Sequence, residues 1–245
     1  MSKEQEKILA DDELLVWLNM RGFDLTIEKM RSLTELYLSG TEITELPDAM
    51  KNLTELRRLD LSRTDITELP ESLMNLTELT VLNLSETDIT ELPESIMNLK
   101  ALTMLNLSET YLTELPEGIG ELTALEWVDL SGTEITELPE SIKNLSALRV
   151  LFLSRTGVTE LAEYVEAFAE LEWLDISQTG ITELPGSIGR LQNLSELDLA
   201  ETDIAELPES LWNLTSLRVL NIHGTPMQNN PKIMSIVAEK KLFSV

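Results

Sequence analysis

The stretch LTELTVLNLSETDITELPESIMN, residues 76–98, carries two rhythms at once and recurs along the chain. Its nonapeptide TDITELPES occupies residues 87–95 and, letter for letter, 64–72; TEITELPES follows at 133–141 and TDIAELPES at 202–210. Aligning the TELP tetrads gives a step of 23 residues and the template L-x-x-L-x-x-L-x-L-S-x-T-x-I-T-E-L-P-x-x-I-x-N. Units begin at Met30, Leu53, Leu76, Leu99, Leu122, Leu145, Phe168, Leu191 and Leu214. Nine units in unbroken register leave no room for a linker or a second domain. A fixed period of about 20–50 residues marks a solenoid.

The first rhythm has period two. Leu82 and Leu84 alternate with Thr80 or Val81 and with Asn83, which predicts a short strand. Equivalent strands of successive coils pair in parallel, ~4.8 Å apart. Leu76, Leu79, Ile89, Leu92 and Ile96 then close the coil over the same interior, and Pro93 fits the first turn of a short helical or 3₁₀ segment. Strands on one side and bulkier segments on the other bend the stack into an arc with a strand-lined concave face. The Thr at position twelve is expected to point inward and donate its hydroxyl to a carbonyl of a neighbouring coil.

Over residues 30–225, L-x-x-L-x-L-x-x-T followed by L-P-x-x-I resembles the leucine-rich repeat family. The L-P-x-x-I half is similar to the 23-residue intracellular class found in Ras-suppressor-type and many bacterial leucine-rich repeat proteins. One departure runs throughout: Thr, from Thr41 and Thr64 to Thr225, stands where that family usually has Asn. The resemblance implies an α/β solenoid, a horseshoe with a parallel concave sheet, short convex helical or 3₁₀ segments and helical caps at both ends. It also implies a non-enzymatic scaffold for protein–protein interaction.

Composition narrows the partners. A net charge of −26 repels nucleic acid and anionic membranes, so neither is expected to bind. The chain has no cysteine, hence no disulfide framework and no thiolate metal site. The N-terminal MSKEQEKILADDELL is acidic where a signal peptide would be apolar. A soluble, cytoplasmic monomer is the expectation, with export by a route lacking a visible signal as the alternative.

A solenoid needs covers for its two apolar ends. Residues 1–29 are read as an N-terminal capping helix, with Ile8, Leu9, Leu14, Leu15, Trp17 and Leu18 at helical spacing before Arg21 and Gly22. Residues 30–225 hold the nine repeats, and 226–245 a C-terminal cap in which KIMSIVAEKKLF forms a covering helix. Lys240 and Lys241 suit its C-terminal dipole.

Positions free of core duty stack into columns on the surface. Position six, on the concave side, reads Glu35, Arg58, Val81, Met104, Trp127, Val150, Trp173, Glu196, Val219. Position eight reads Tyr37, Asp60, Asn83, Asn106, Asp129, Phe152, Asp175, Asp198, Asn221. The apolar run from Val81 to Trp173 spans ~19 Å at ~4.8 Å per strand. Aromatics ringed by polar groups resemble interface centres, so Val81, Met104, Trp127, Val150, Phe152 and Trp173 form the candidate partner-binding strip. Arg149, Arg155, Asp129 and Asp175 are its polar neighbours. Mutual covering of concave side chains is the competing account.

The remaining acid lies in three other columns. Position sixteen is Glu from Glu45 and Glu68 through Glu206, and positions thirteen and nineteen add Asp and Glu. These columns are read as a solvated rim that opposes aggregation, because calcium loops need ligands converging at dense spacing. The sixth unit breaks the template with Ala162 for Pro, then Tyr164, Glu166 and Phe168, which predicts a longer convex helix. His223 has neither a second His nor a Cys, and no phosphate-binding glycine motif occurs. No catalytic residue, metal site or cofactor is expected. The partner is read as a protein held on the concave face; the alternative is a secreted or surface-displayed bacterial effector or adhesin that binds a host ligand. Sequons at Asn83 and Asn106 would set glycans on the binding face, against a eukaryotic secretory route.

Overall fold

Alternation in one third of each repeat and, in all but the sixth, a proline in another go with one strand per coil and, in the first eight coils, one tight convex turn. A computed structural model describes residues 3–161 and 163–242. Three-residue strands recur as β1 (Glu35–Tyr37), β2 (Arg58–Asp60), β3 (Val81–Asn83), β4 (Met104–Asn106) and β5 (Trp127–Asp129). They continue as β6 (Val150–Phe152), β7 (Trp173–Asp175), β8 (Glu196–Asp198) and β9 (Val219–Asn221). All pair in parallel, in chain order, into one nine-stranded sheet. The register advances by one repeat per strand: Val81 lies beside Met104, Leu82 beside Leu105 and Asn83 beside Asn106. The middle residue of each strand is buried while its neighbours face outward, as period two requires.

The rest of the template closes the coil. Leu76, Leu79, Ile89 and Ile96 are wholly buried and Leu92 nearly so. The convex turns are five-residue 3₁₀ segments such as Glu94–Asn98. Pro93 stands immediately before that segment, with φ −67° and ψ 145°, not inside its first turn as expected. Its fixed φ suits the extended entry, and its carbonyl takes the Ile96 N–H at 2.9 Å, a bond that needs no donor from proline. The sixth unit keeps the same length: its segment is Glu163–Ala167, so the longer helix is not formed. Stacking sets this length, because Phe168 is fully buried at the start of the next coil and its N–H closes the turn on the Val165 carbonyl. Ala162 itself and the side chain of Tyr164 lie outside the described residues.

The Thr column also needs correcting. Every Thr at position twelve donates to the carbonyl three residues earlier in its own coil, at 2.6–2.7 Å, from Thr41 to Leu38 through Thr225 to Ile222. Carbonyls facing from the next coil are already taken by the backbone ladder: Leu61 N–H donates to Asn83 and Leu84 N–H to Asn106. The hydroxyl therefore satisfies a turn carbonyl that the ladder does not reach. One residue before each Thr the backbone is left-handed. Gly40, Gly132 and Gly224 take φ 70–72° there, while Arg63, Glu86, Glu109, Arg155, Gln178 and Glu201 take 55–57°. Glycine fits this turn without steric cost, and the other six tolerate it.

Helices lie at both ends. Helix α1 (Lys3–Asn19) buries Leu14 and Leu18, whereas Ile8 and Leu9 stay half exposed, so only the second half of the helix covers the stack. The buried stripe continues through Asp11, which is fully buried. Its carboxylate accepts from Arg31, at the end of α2 (Ile27–Arg31), and from Asn52 at 2.9 Å. Helix α3 (Pro231–Glu239) buries Ile233 and Val237 and is capped by Asn230, whose side chain accepts the Lys232 N–H at 3.0 Å. Lys240 donates to the Trp212 carbonyl at 2.6 Å, on the last convex turn, rather than to the end of its own helix. Phe243 lies outside the described residues.

Candidate protein-binding face

Parallel register carries the position-six side chains into one line across the concave sheet. Val81, Met104, Trp127, Val150 and Trp173 are consecutive partners from β3 to β7. Phe152 stands one column over, paired to Asp129 on one side and Asp175 on the other. It reaches between the two indoles: its ring lies 5.8 Å from Trp127 and 4.7 Å from Trp173, edge to face in both cases. The rings cover one another in part, as the competing account holds, but they lie outside the core. Trp173 remains 40% exposed and Met104 38%, while Val81, Trp127, Val150 and Phe152 are half-buried.

The charged neighbours are engaged already. Arg149 pairs with Glu172 of the following coil, its Nε 3.1 Å from the carboxylate, and this contact raises the guanidinium's pKa. Arg155 pairs with Glu109, two coils earlier. Asp129 and Asp175 each accept a backbone N–H two residues on, from Ser131 and Ser177, both at 2.9 Å. The same closure recurs at Asp60, Asn83, Asn106, Asp198 and Asn221. In seven of its nine coils the position-eight column therefore closes a turn with its side chain. Tyr37, whose hydroxyl donates to Glu35, and Phe152, which stands between two indoles, occupy places where an acceptor would otherwise stand. Burial beside the rings pushes the carboxyls of Asp129 and Asp175 up; hydrogen bonds from Ser131 and Ser177 oppose this in part. Facing acids, Asp175 for Asp129 and Asp198 for Asp175, add to the rise.

Sequence reading missed three features here: the local role of the Asp/Asn column, the Arg155–Glu109 pair and the left-handed column. The recurring D-L-S and N-L-S tripeptides signalled the first, and the glycines at 40, 132 and 224 the last. Nothing in the spacing told which acid Arg155 would choose. On the convex side the Glu of position sixteen is exposed in all eight coils that carry it. Position nineteen does more: Asp48 accepts from Ser72 at 3.0 Å and Glu94 from the Gly118 N–H at 3.1 Å, tying successive turns. Among the described residues, no group of three or more His, Asp or Glu side chains converges as metal ligands would. His223 is exposed, its ring 3.4 Å from the Gln228 amide. No helix among the described residues is long and apolar enough to cross a membrane.

A one-sheet parallel solenoid with 3₁₀ turns behind it and an outward-facing aromatic strip defines a repeat protein of the horseshoe class. Residues 162–238 match the leucine-rich repeat region family, 31–73 the two-copy leucine-rich repeats, and 78–99 and 124–145 the single leucine-rich repeat. The chain is a leucine-rich repeat protein. It is similar to the structure of a leucine-rich repeat protein of Leptospira interrogans, with TM-score 0.83 and 28% identity over 89% of this chain and 55% of that one. Internalin C2 of Listeria monocytogenes shares the fold, with TM-score 0.73 and 24% identity over 81% of this chain and 84% of that one. So does the plant peptide hormone receptor RGFR1, with TM-score 0.74 and 24% identity over 89% of this chain and 36% of that one. The chain thus spans about half the Leptospira protein and about a third of the plant receptor. No curated protein matches it in sequence. A fold of this family serves as a protein-interaction scaffold in general.

Proposed function

We propose that this protein is a non-enzymatic scaffold that grips a protein partner on the concave face, over the strip from Val81 to Trp173. The observation that carries the reading is Phe152. Its coil gives up the turn-closing acceptor found at that column in seven others and places a ring between two indoles outside the core. A local rule broken without gain to the core is what a functional site looks like. Aromatic anchors at the middle of a polar-rimmed face are also where binding energy concentrates.

Trp127 and Trp173 are the main anchors, with Phe152, Val150, Met104 and Val81 completing the apolar floor and Asp129 and Asp175 on its border. Arg149 and Arg155 act through their acids, holding the polar border in place. We place the encounter in the cytoplasm, on composition alone. Immobilised protein retains its partner from the source cells, and Trp127→Ala with Trp173→Ala releases it, since one such anchor commonly contributes ~2 kcal/mol. Equal recovery of the same partner by the folded double variant would retire the reading.

A further inference from the structure

Resting on that reading, we propose that the segment filling the strip is cationic: a short peptide stretch of the partner in which Lys or Arg flanks an apolar or aromatic anchor. The two arginines beside the rings are spent within the molecule, on Glu172 and Glu109. By contrast Glu126, Asp129, Asp175, Glu196, Asp198 and Glu201 enter no ion pair among the described residues. Asp129 and Asp175 flank Phe152 in register, Glu196 pairs with Trp173 and Asp198 with Asp175; Glu126 immediately precedes Trp127, and Glu201 follows Asp198 in the turn that leaves β8. On the strand columns the unpaired acid thus gathers at the aromatic end: of the acids at positions six and eight outside β5 to β8, Glu35 pairs with Arg58, and Asp60 alone enters no ion pair among the described residues.

The apolar floor makes this more than an acidic patch. An anchor packed on Phe152 and Trp173 excludes water, so a cation beside it interacts with these carboxylates at reduced dielectric. The exposed Trp173 ring is itself a surface over which a guanidinium or ammonium can sit. From β5 to β8 is ~14 Å at ~4.8 Å per strand, the reach of about four extended residues. A single linear segment thus sets its anchor on the rings and its cations at either side. Asp129 and Asp175 carry carboxyls raised by burial, and a neighbouring cation relieves that cost. A second copy of this chain is a poor occupant, since it brings the same acid to the face.

The test is a random dodecapeptide display library panned on the wild-type protein and, in parallel, on the Trp127→Ala/Trp173→Ala variant. Sequences that require both tryptophans should be enriched in Lys and Arg around a hydrophobic residue. Synthetic versions should lose affinity about tenfold on going from about 50 to about 500 mM salt. They should lose a similar factor with Glu126→Gln/Glu196→Gln, which alters charge at residues that close no turn. Tryptophan-dependent sequences with no excess of cations, or affinities indifferent to salt and to the Gln pair, overturn the charge assignment and leave the strip standing. Absence of any tryptophan-dependent sequence overturns both.

Discussion

Arg155 forms an ion pair with Glu109 across an entire intervening coil, over the gap left by Gly132. All three belong to the left-handed column, one per successive coil. A Cβ built on Gly132 would come within 2.7 Å of the Glu109 carboxylate. The glycine thus meets two needs, a turn with φ of 70° and room for a side chain to pass in front of it.

Gly132→Ala should therefore cost more than Gly40→Ala. Both incur the left-handed penalty of ~1–2 kcal/mol, but a Cβ at Gly40 meets nothing within 4 Å. The excess at Gly132 should be below ~1 kcal/mol, because the ion pair it disturbs is solvent-exposed. Chemical denaturation of both variants measures the difference. In a Glu109→Ala background, which removes both the carboxylate in the way and the ion pair, the excess should vanish; an undiminished excess shows that this side chain is not its source.

The raised carboxyls give a pH signature with a definite sign. A carboxyl whose folded pKa exceeds its unfolded one binds more protons when folded. Its stabilising contribution is full below the unfolded value and is lost as pH rises through the folded one. Asp129 and Asp175 start from 3.8 and are moved upward, mainly by burial. Asn serves the same turn at Asn83, Asn106 and Asn221. Asp129→Asn/Asp175→Asn should thus be more stable than wild type at neutral pH, and the gain should shrink as pH falls toward the ordinary Asp range. Thermal melts across that range decide it; a gain that grows on acidification reverses the assignment.

Phe152→Asn separates binding from folding. The change removes two edge-to-face ring contacts, worth ~0.5–1.5 kcal/mol each, and restores a turn acceptor worth ~1 kcal/mol. The net loss should stay below ~2 kcal/mol, with the sheet intact by circular dichroism. Fluorescence of Trp127 and Trp173 should move to longer wavelength as water reaches them. A global loss of fold would mark Phe152 as a core element and remove the observation on which the proposed function stands.

The period made the coil legible because each interior position is occupied by the same residue class in unit after unit. Leu82 and Ile96 could face nothing but the interior, and a strand column fixed by a 23-residue step could only stack in register. Side-chain choices made among several equivalent partners were not legible. Thr87 had a carbonyl within its own coil and others beyond it, and the ladder had already claimed the latter. Likewise Ile8 and Leu9 carry the composition of a buried face, yet Asp11, Leu14 and Leu18 form the stripe that meets the stack. Asp11 is hidden because its partners Arg31 and Asn52 come from two later segments, a convergence no local pattern announces.

The Thr ladder offers the most direct test of what substitutes for the Asn that leucine-rich repeats usually carry. In Thr133 the hydroxyl donates to the Leu130 carbonyl at 2.7 Å, with the residue itself 3% exposed. Thr133→Val preserves the shape and deletes the donor, leaving that carbonyl only the longer 3.2 Å bond from the Thr133 backbone N–H. The expected cost is ~1 kcal/mol. Val at both Thr87 and Thr179, four coils apart, should cost nearly the sum of the two single changes, since neither hydroxyl leaves its own coil. Adjacent pairs such as Thr110 with Thr133 should behave the same way. Had the hydroxyls bridged neighbouring coils, adjacent pairs would couple and distant ones would not, so a double-mutant cycle on the two pairs distinguishes a ladder of separate clasps from a continuous seam.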